Sequence, residues 1–296
     1  MSIRTDKLLI TSDFYSVQGE GISSGVPSYF VRLGVCNLSC GMSRKWFNEL
    51  VKMHKDLPEG EKMPDGTIFE GDLHATGEAT WTCDSTSQWA LRGEDKDFQY
   101  IIDRWKEQGL YEDIKNGTIH IIWTGGEPTI KQHQEAIRNF FEYWKSVDSS
   151  VKKIISGGLV STGKVRAFSE IETNGTVVID EPLWIHLDQI NCSPKLSNSG
   201  MEAKQRINPD AIKRIMEHSN YQFKFVVSTE NDIKEMFRDY IEPFNIPLKN
   251  VVCMPGLDDA ANFEERTRFV MEMAKKYKFR GLTRLHIAAW NKTLNV

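Results

Sequence analysis

The sequence lacks the features of a membrane protein, a repeat protein or a strongly charged binding protein. No apolar run in its 296 residues approaches the roughly 20 residues that a membrane-spanning helix needs, and no motif recurs at a fixed period. The formal net charge is only -4, which gives no electrostatic reason to bind nucleic acid or an anionic membrane directly. No secretory signal is expected at the start of the chain. We therefore expect a globular cytoplasmic protein.

A disulfide framework is also not expected, because the chain has an odd number of cysteines, five in all. Two of them, Cys192 and Cys253, lie in apolar segments and are expected to be buried core residues. The other three, Cys36, Cys40 and Cys83, lie in loop-like segments. These three are the candidates for binding a metal or an iron–sulfur cluster.

Helices and strands alternate along most of the chain, and this pattern predicts an α/β fold with a parallel sheet. The periodicity of apolar residues predicts strands at 7–13, 28–33, 118–124, 168–173, 183–192, 221–227, 250–254 and 284–289. It predicts helices at 98–108, 132–146, 210–218, 232–244 and 263–277. Residues 41–82 are polar and do not fit the alternation, so we interpret them as an insertion.

Segments with chemically useful residues follow five of the predicted strands directly. They are residues 36–40, 125–128, 173–175, 193–195 and 255–256. In parallel α/β sheets, ligands bind at the carboxyl ends of the strands. The sequence therefore predicts one site, built by these five segments.

Three thiolates can bind three irons of a [4Fe-4S] cluster and leave the fourth iron open to an external ligand. S-adenosylmethionine (SAM) can occupy such an open iron, and one electron from the cluster then cleaves it to a 5′-deoxyadenosyl radical. Zinc is the alternative, bound by the same cysteines and by His54 or His74. The spacing of the cysteines alone does not decide between the two.

Six motifs occur in an order that resembles 7-carboxy-7-deazaguanine synthases (QueE-like enzymes) of the radical SAM superfamily. They are SVQGEG at 16–21, FVRLGVCNLSC at 30–40, WTGGEPTI at 123–130, ETNGT at 172–176, SPKLSNSG at 193–200 and RLHIAAWNK at 284–292. The resemblance implies a partial, open TIM-like β/α barrel of the radical SAM type. It also implies that residues 1–296 form a single radical SAM domain.

The chain departs from the superfamily in the spacing of its cysteines, which is usually C-x3-C-x2-C. Here residues 41–82 separate Cys40 from the third cysteine. The WTCDS segment around Cys83 resembles the family segment that carries the third ligand. The resemblance thus implies a [4Fe-4S] cluster bound by Cys36, Cys40 and Cys83, with the insertion looped out between the last two.

The resemblance also implies which residues bind SAM and magnesium. The expected SAM contacts are Gly125, Gly126, Glu127, Glu172, Asn174, Ser193, Pro194 and Lys195. Ser85 is the expected Mg2+ ligand, with Thr86 as the alternative, because a hydroxyl oxygen suits this hard cation.

The substrate that the resemblance implies is 6-carboxy-5,6,7,8-tetrahydropterin, which the family converts to 7-carboxy-7-deazaguanine with loss of ammonia. An arginine suits its carboxylate, and paired donors and acceptors suit its pterin edge. The expected substrate contacts are Val17, Gln18, Gly19, Glu20, Arg32, Thr124, His286 and Val296.

The expected protein partners are an electron donor such as flavodoxin or ferredoxin and a second copy of the chain in a homodimer. Two alternatives remain open at this point. One is another radical SAM enzyme, such as a glycyl-radical activase, and the other is a zinc-binding protein without catalytic activity on the same scaffold.

Overall fold

Strands and helices alternate in the computed structural model, which describes residues 3–41, 52, 79–81, 83, 93–151, 167–256 and 261–291. The strands are β1 (Leu8–Val17), β2 (Pro27–Leu33), β3 (Glu94–Lys96), β4 (His120–Gly125), β5 (Ser169–Thr173), β6 (Gln189–Cys192), β7 (Tyr221–Val227), β8 (Val251–Pro255) and β9 (Arg280–Gly281). The helices are α1 (Phe98–Glu107), α2 (Tyr111–Asn116), α3 (Lys131–Val147), α4 (Glu181–Trp184), α5 (Ala203–Arg206), α6 (Pro209–Met216), α7 (Glu230–Met236), α8 (Glu242–Phe244), α9 (Phe263–Tyr277) and α10 (Leu285–Trp290).

These strands form one open sheet in the order β3-β1-β2-β4-β5-β6-β7-β8-β9. β1 pairs antiparallel with both β2 and β3. From β2 through β4 to β9, every neighbouring pair is parallel. The predicted mixed α/β fold with a parallel sheet is therefore confirmed, with an antiparallel hairpin added at one edge.

The two faces of the sheet differ in polarity, because alternate residues of a strand point to opposite faces. Trp123, Ile171 and Phe223 belong to one face and are fully buried in the apolar core. Their neighbours Thr124, Glu172 and Lys224 belong to the other face. The polar face of a parallel sheet is available for a site, whereas the apolar face is covered by helices.

The apolar core is centred on aromatic side chains of α1, β4 and α3. The rings of Trp105 and Trp144 lie 5.1 Å apart, and those of Trp123 and Phe140 lie 5.4 Å apart, each pair in an edge-to-face arrangement. Such pairs contribute roughly 0.5–1.5 kcal/mol each beyond the burial of their area. This packing fixes β4, whose end leads into the predicted site.

The strand predicted at 183–192 is wrong over its first half. Asp180 caps a short helix, α4, by accepting a hydrogen bond from the Leu183 N–H at 3.0 Å, and Pro182 stands in its first turn. Proline is compatible with the start of a helix because a backbone N–H there would have no acceptor within the helix. Only Gln189–Cys192 forms the strand β6.

The strand predicted at 284–289 is also wrong. Residues Leu285–Trp290 form the helix α10, and the last strand of the sheet is the short β9, which pairs with β8. The Leu285 N–H donates to the Gly19 carbonyl at 3.0 Å, so the segment packs as a helix against the loop after β1. The helix predicted at 232–244 is present but is interrupted by a π-helical turn at Phe237–Ile241.

The insertion expected at 41–82 lies almost entirely outside the described residues. Gly41, Lys52 and residues 79–81 are the only parts of the insertion within them. Within the described part of the chain, no helix combines the length and the apolar character needed to cross a membrane.

Candidate active site

The loops at the carboxyl ends of the parallel strands are joined to one another by backbone hydrogen bonds. The Gly126 N–H of the loop after β4 donates to Leu33 at the end of β2, at 2.8 Å. The Ser193 N–H after β6 donates to Thr173 at the end of β5, at 2.7 Å, and the Gly256 N–H after β8 donates to Val227 at the end of β7, at 3.3 Å. The segments that sequence patterns predicted to form one site thus lie on the same edge of the sheet.

Cys36, Cys40 and Cys83 lie together in one small cluster of side chains, which we call the cysteine pocket. Cys40 packs with Leu38 and Met201 in a small apolar cluster, and Cys36 and Cys83 border that cluster. The Cys83 N–H donates to the Cys40 carbonyl at 3.3 Å, which brings the third cysteine beside the second despite the intervening insertion. None of the five cysteines, all of which are described, forms a disulfide.

Burial and neighbouring groups raise the pKa of two thiols in the pocket. Burial raises the pKa of the Cys36 thiol, and nearby Glu127, Cys83 and Cys40 raise it further. Burial likewise raises the pKa of Cys40 to about 12, with Cys83 adding to the shift and Lys195 opposing it. Without a bound cation these thiols hold their protons, and a metal that binds them must displace those protons.

The donor set of the pocket fits an iron–sulfur cluster. Three thiols on a largely apolar lining are soft ligands in the surroundings that iron–sulfur clusters occupy. The Asn174 Nδ2 lies 3.9 Å from the Cys36 Sγ, so an N–H donor also points toward this sulfur. Among the described residues, no three His, Cys, Asp or Glu side chains are arranged to hold a single metal ion.

Gly125 and Gly126 permit close contact between the loop after β4 and the loop that carries Cys36. A Cβ atom on Gly126 would lie 1.9 Å from the Val35 carbonyl oxygen, and one on Gly125 would lie 2.4 Å from the Leu33 nitrogen. Gly125 also has a φ of 105°, which other residues rarely adopt. A side chain at either position would therefore displace the loop that places Cys36.

The Glu127 side chain joins the loops after β4 and β5. Its Oε1 accepts hydrogen bonds from the Thr129 N–H at 2.9 Å and from the Thr173 hydroxyl at 2.7 Å, while its Oε2 accepts from the Asn174 N–H at 2.7 Å. Burial raises the pKa of Glu127, although these hydrogen bonds oppose the shift. The carboxylate predicted as a SAM contact is thus also a link that holds Asn174 in place.

Asn174, Ser193, Pro194 and Lys195 follow β5 and β6 beside the cysteine pocket. The Asn174 Nδ2 donates to the Asn37 Oδ1 at 2.9 Å, which ties it to the loop between Cys36 and Cys40. The Lys195 carbonyl accepts from the Tyr240 hydroxyl at 2.8 Å and from Arg206 at 3.3 Å. Backbone contacts therefore fix Lys195, while its ammonium group extends to the pocket, 5.4 Å from the centre of the Trp81 ring.

A second set of side chains lies on the polar face of the sheet, and we call it the polar network. Its members are Gln18, Glu20, Thr124, Glu172, Lys224 and Arg284. Glu172 accepts from the Thr124 hydroxyl at 2.7 Å and from the Gln18 amide at 3.1 Å. Since Gln18 is an expected substrate contact and Glu172 an expected SAM contact, the two parts of the predicted site meet at this hydrogen bond.

Glu20 accepts hydrogen bonds from two positively charged side chains within this network. Its Oε2 accepts from the Lys224 ammonium, and its Oε1 accepts from the Arg284 Nε at 2.8 Å. Burial alone would raise the pKa of Glu20, but Lys224, Arg284 and His286 overcome that effect and hold the pKa well below its usual range. Burial likewise opposes the charge of Lys224, yet Glu20 and Glu172 raise its pKa. Both groups are therefore charged at neutral pH.

The helix α10, near the end of the chain, packs beside the polar network. His286 packs so tightly on Gly19 that a Cβ atom there would lie 2.3 Å from the His286 Nδ1. Arg32, on β2, is in register with Thr124 on β4, and its guanidinium carbon lies 5.0 Å from the centre of the Phe14 ring. Val17 ends β1, directly before the loop of Gln18 and Gly19.

Sequence patterns did not identify Lys224 and Arg284 as site residues. Lys224 has a detectable signal, because it is a charged residue within the apolar strand β7 and is only 5% exposed. Arg284 lies within a recognised motif, but the wrong strand prediction at 284–289 did not show that its side chain points toward Glu20. Ser85, Thr86 and Val296 lie outside the described residues, as do His54 and His74, the histidines of the zinc alternative.

No family model matches the chain. Curated 7-carboxy-7-deazaguanine synthases from Pyrobaculum aerophilum and Halobacterium salinarum are each 26% identical to it. The first alignment covers 97% of this chain and 96% of the relative, and the second covers 96% and 91%. The chain resembles 7-carboxy-7-deazaguanine synthases along nearly its whole length.

The similarity also extends to the fold. The crystal structure of QueE from Escherichia coli superposes with a TM-score of 0.51 and covers 95% of each chain at 18% identity. This likeness supports a common open α/β architecture.

Proposed function

We propose that this chain is a 7-carboxy-7-deazaguanine synthase, a radical SAM lyase. It converts 6-carboxy-5,6,7,8-tetrahydropterin to 7-carboxy-7-deazaguanine with loss of ammonia, a step in the synthesis of queuosine-type 7-deazapurines. The observation that carries the proposal is the position of the cysteine pocket beside a charged polar network, at the carboxyl ends of parallel strands. The nearly full-length similarity to synthases of this name supports the choice of substrate.

The fold proposed in detail is a partial, open TIM-like β/α barrel of the radical SAM type. Residues 1–296 form a single domain, and residues 41–82 are an insertion between the second and third cluster cysteines. The parallel order β2-β4-β5-β6-β7-β8-β9 supports this architecture, because helices alternate with these strands as they do in β/α barrels.

Cys36, Cys40 and Cys83 would hold a [4Fe-4S] cluster, and the open iron would take SAM. When bound, the cluster and SAM together supply one electron and a carbon-centred radical able to remove hydrogen from the pterin. The proposed SAM contacts are Gly125, Gly126, Glu127, Glu172, Asn174, Ser193, Pro194 and Lys195. Of these, Lys195 provides a cation for a carboxylate, and Asn174 provides amide hydrogen-bonding groups.

The polar network and its neighbours would bind the pterin. Glu20, kept ionised by Lys224 and Arg284, can only accept hydrogen bonds, so it suits the N–H donors of a pterin edge. Arg32 provides a planar guanidinium for the substrate carboxylate. The remaining proposed contacts are Val17, Gln18, Gly19, Thr124, His286 and the Val296 carboxylate.

Several further parts of the proposal come from the family resemblance. Ser85, or else Thr86, would bind Mg2+ through its hydroxyl oxygen. A flavodoxin or ferredoxin would deliver the electron, the chain would act as a homodimer, and the enzyme would work in the cytoplasm.

The test is anaerobic reconstitution with iron and sulfide, followed by incubation with SAM, Mg2+, a reductant and the carboxytetrahydropterin. Mass analysis should find 7-carboxy-7-deazaguanine and ammonia in equal amounts. If SAM is cleaved but the pterin remains unchanged, the chain acts on another substrate and the proposal is wrong. A colourless protein that retains zinc and cleaves no SAM also contradicts it.

A further inference from the structure

The third cysteine returns to the site through a short segment that is bonded to the turn at Ser197–Ser199. The Thr80 N–H donates to the Asn198 carbonyl at 2.9 Å, and the Trp81 Nε1–H donates to the Asn198 Oδ1 at 2.9 Å. Asn198 thus binds the backbone and the side chain of two successive residues. Cys83 follows two positions after Trp81.

The departing end of the insertion is bonded to the same turn. The Gly41 N–H donates to the Ser199 carbonyl at 2.8 Å, and the Cys83 N–H donates to the Cys40 carbonyl at 3.3 Å. The two ends of the insertion are therefore held beside each other by one turn and by one direct backbone hydrogen bond.

The turn that receives these bonds is itself firmly placed. Asn198 is only 4% exposed, and its Nδ2 donates to the Val226 carbonyl near the end of β7 at 3.1 Å. The Ser197 N–H donates to the Glu235 Oε1 at 2.7 Å, and Glu235 is in turn paired with Arg206 at 2.7 Å. A turn anchored in this way can therefore fix the segment that follows the insertion.

We propose that Asn198 and Trp81 are positioning residues that seat Cys83 for cluster assembly. Bringing Cys83 to Cys40 across the 42 residues 41–82 costs more conformational entropy than a two-residue spacing would. The hydrogen bonds from Thr80 and Trp81 to Asn198 offset this cost and keep Cys83 at a high effective concentration beside Cys40. This inference rests on the proposed cluster, but the seating of Cys83 is a property of the protein without metal.

The same contact reaches the predicted SAM side of the pocket. The Lys195 ammonium lies 5.4 Å from the centre of the Trp81 ring, a distance at which a cation and an indole attract each other. Trp81 therefore joins the segment of the third cysteine to Lys195. Loss of the contacts between Trp81 and Asn198 should therefore loosen both the segment of the third cysteine and the Lys195 side chain.

The experiment compares Asn198→Ala and Trp81→Phe with the wild-type chain. Trp81→Phe keeps an aromatic ring but removes the Nε1–H donor, so it tests the hydrogen bond selectively. Asn139→Ala is the matched control, because the Asn139 amide also donates to a backbone carbonyl, that of Thr5 at 2.9 Å, but lies on α3 in the helix layer. The melting temperature of each iron-free protein is measured first.

The first measurement is the alkylation rate of each cysteine in the iron-free protein, resolved by peptide mass analysis. Asn198→Ala should raise the rate of Cys83 about fivefold and leave Cys40 unchanged, because only the third cysteine loses its anchor. Trp81→Phe should raise it less, and Asn139→Ala not at all. The second measurement is iron and sulfide per chain after reconstitution at limiting iron, which should fall about threefold in Asn198→Ala.

Unchanged alkylation of Cys83 together with unchanged iron uptake in Asn198→Ala would overturn the proposal. If Asn198→Ala does not fold, Trp81→Phe carries the same test, and wild-type behaviour of that variant would overturn it. Failure of the proposed function is distinguishable, because the alkylation measurement needs neither cluster nor substrate.

Discussion

The cysteine pocket and the polar network lie side by side at one edge of the sheet, yet they differ in how complete they are. In the polar network, the charges of Glu20 and Glu172 are matched by Lys224 and Arg284. In the cysteine pocket, burial raises the pKa of Cys36 and Cys40, and their thiols have few polar partners. The comparison indicates that the network is preorganised by the fold, whereas the proposed cluster would complete the pocket.

The largest expected effect on activity comes from Cys83→Ala. Since the cluster would lose one of three protein ligands, this variant should lose more than about 100-fold in SAM cleavage, equivalent to roughly 2.7 kcal/mol. The iron-free protein should melt within a few degrees of the wild type, because Cys83 belongs only to a small cluster at the edge. Iron analysis, 5′-deoxyadenosine formation and calorimetry measure these effects.

Cys253→Ala is the matched control for that variant. Cys253 is fully buried in the main core, so its truncation should lower the free energy of unfolding by about 1–2 kcal/mol while leaving iron content unchanged. Iron loss in the control equal to that in Cys83→Ala would contradict the assignment of Cys83.

The next effect is expected from Lys224→Met, which breaks the polar network from within. Glu20 would then keep Arg284, while Glu172 would lose its ion pair with Lys224. Removing one partner from a buried ion pair should cost about 3–5 kcal/mol of stability. Chemical denaturation of the iron-free protein measures this cost. The double variant Glu20→Gln with Lys224→Met should recover part of it, and strictly additive losses would show that the two residues do not interact.

Arg32→Lys should have a smaller and more selective effect. Lysine keeps the positive charge but loses the planar fork that binds a carboxylate through two hydrogen bonds. The KM for the pterin should rise about tenfold, which corresponds to roughly 1.4 kcal/mol, while SAM cleavage without substrate stays unchanged. Steady-state kinetics test this, and an equal loss of both activities would place Arg32 outside the substrate site.

The residues changed in these variants lie in a fold that sequence patterns predicted only in part. The strand at Tyr221–Val227 and the helix at Phe263–Tyr277 were predicted with correct bounds, because their apolar residues follow clear periods of two and 3.6. The helix α10 was predicted as a strand, since five of its six residues are apolar or aromatic and give no period. Its conformation depends on the contact with Gly19, which is remote in sequence.

The prediction of site residues is limited in the same way, by contacts between residues that are remote in sequence. Glu20 and Lys224 are 204 positions apart, and no local pattern relates them. Cys36, Cys40, the glycines of the loop after β4 and the residues after β5 and β6 were found because chemistry and strand ends coincide there, whereas Cys83 was assigned through the family resemblance. Long-range ion pairs can be identified only after the sheet has set which residues face each other.

A weaker effect should appear in the pH dependence of stability. The folded-state pKa of Glu20 lies below the ordinary value of about 4.3, so its contribution to stability is fully present above that value. The contribution is lost as pH falls toward the lower folded pKa. Between pH 6 and 3.5 the free energy of unfolding of the wild type should therefore fall by about 1 kcal/mol more than that of Glu20→Gln. Urea unfolding at several pH values measures this difference, and an equal fall in both proteins would contradict the ionised state of Glu20.

The smallest effect on chemistry is expected from replacing residues 55–72 by a short Gly/Ser linker. Chain length in a loop has a weak influence on the cost of closure, and the residues that bond to Asn198 are retained. Iron content and product formation should stay within about twofold of the wild type, while stability or binding of the electron donor changes more. Loss of all activity with a normal cluster would contradict this view.

The most direct test of the account is anaerobic reconstitution of the full chain, followed by assay of iron, sulfide and 5′-deoxyadenosine. The account predicts a brown protein with about four irons and four sulfides per chain, which forms 5′-deoxyadenosine only when both SAM and a reductant are present. A protein without an iron–sulfur chromophore, or with a cluster that never cleaves SAM, would contradict it.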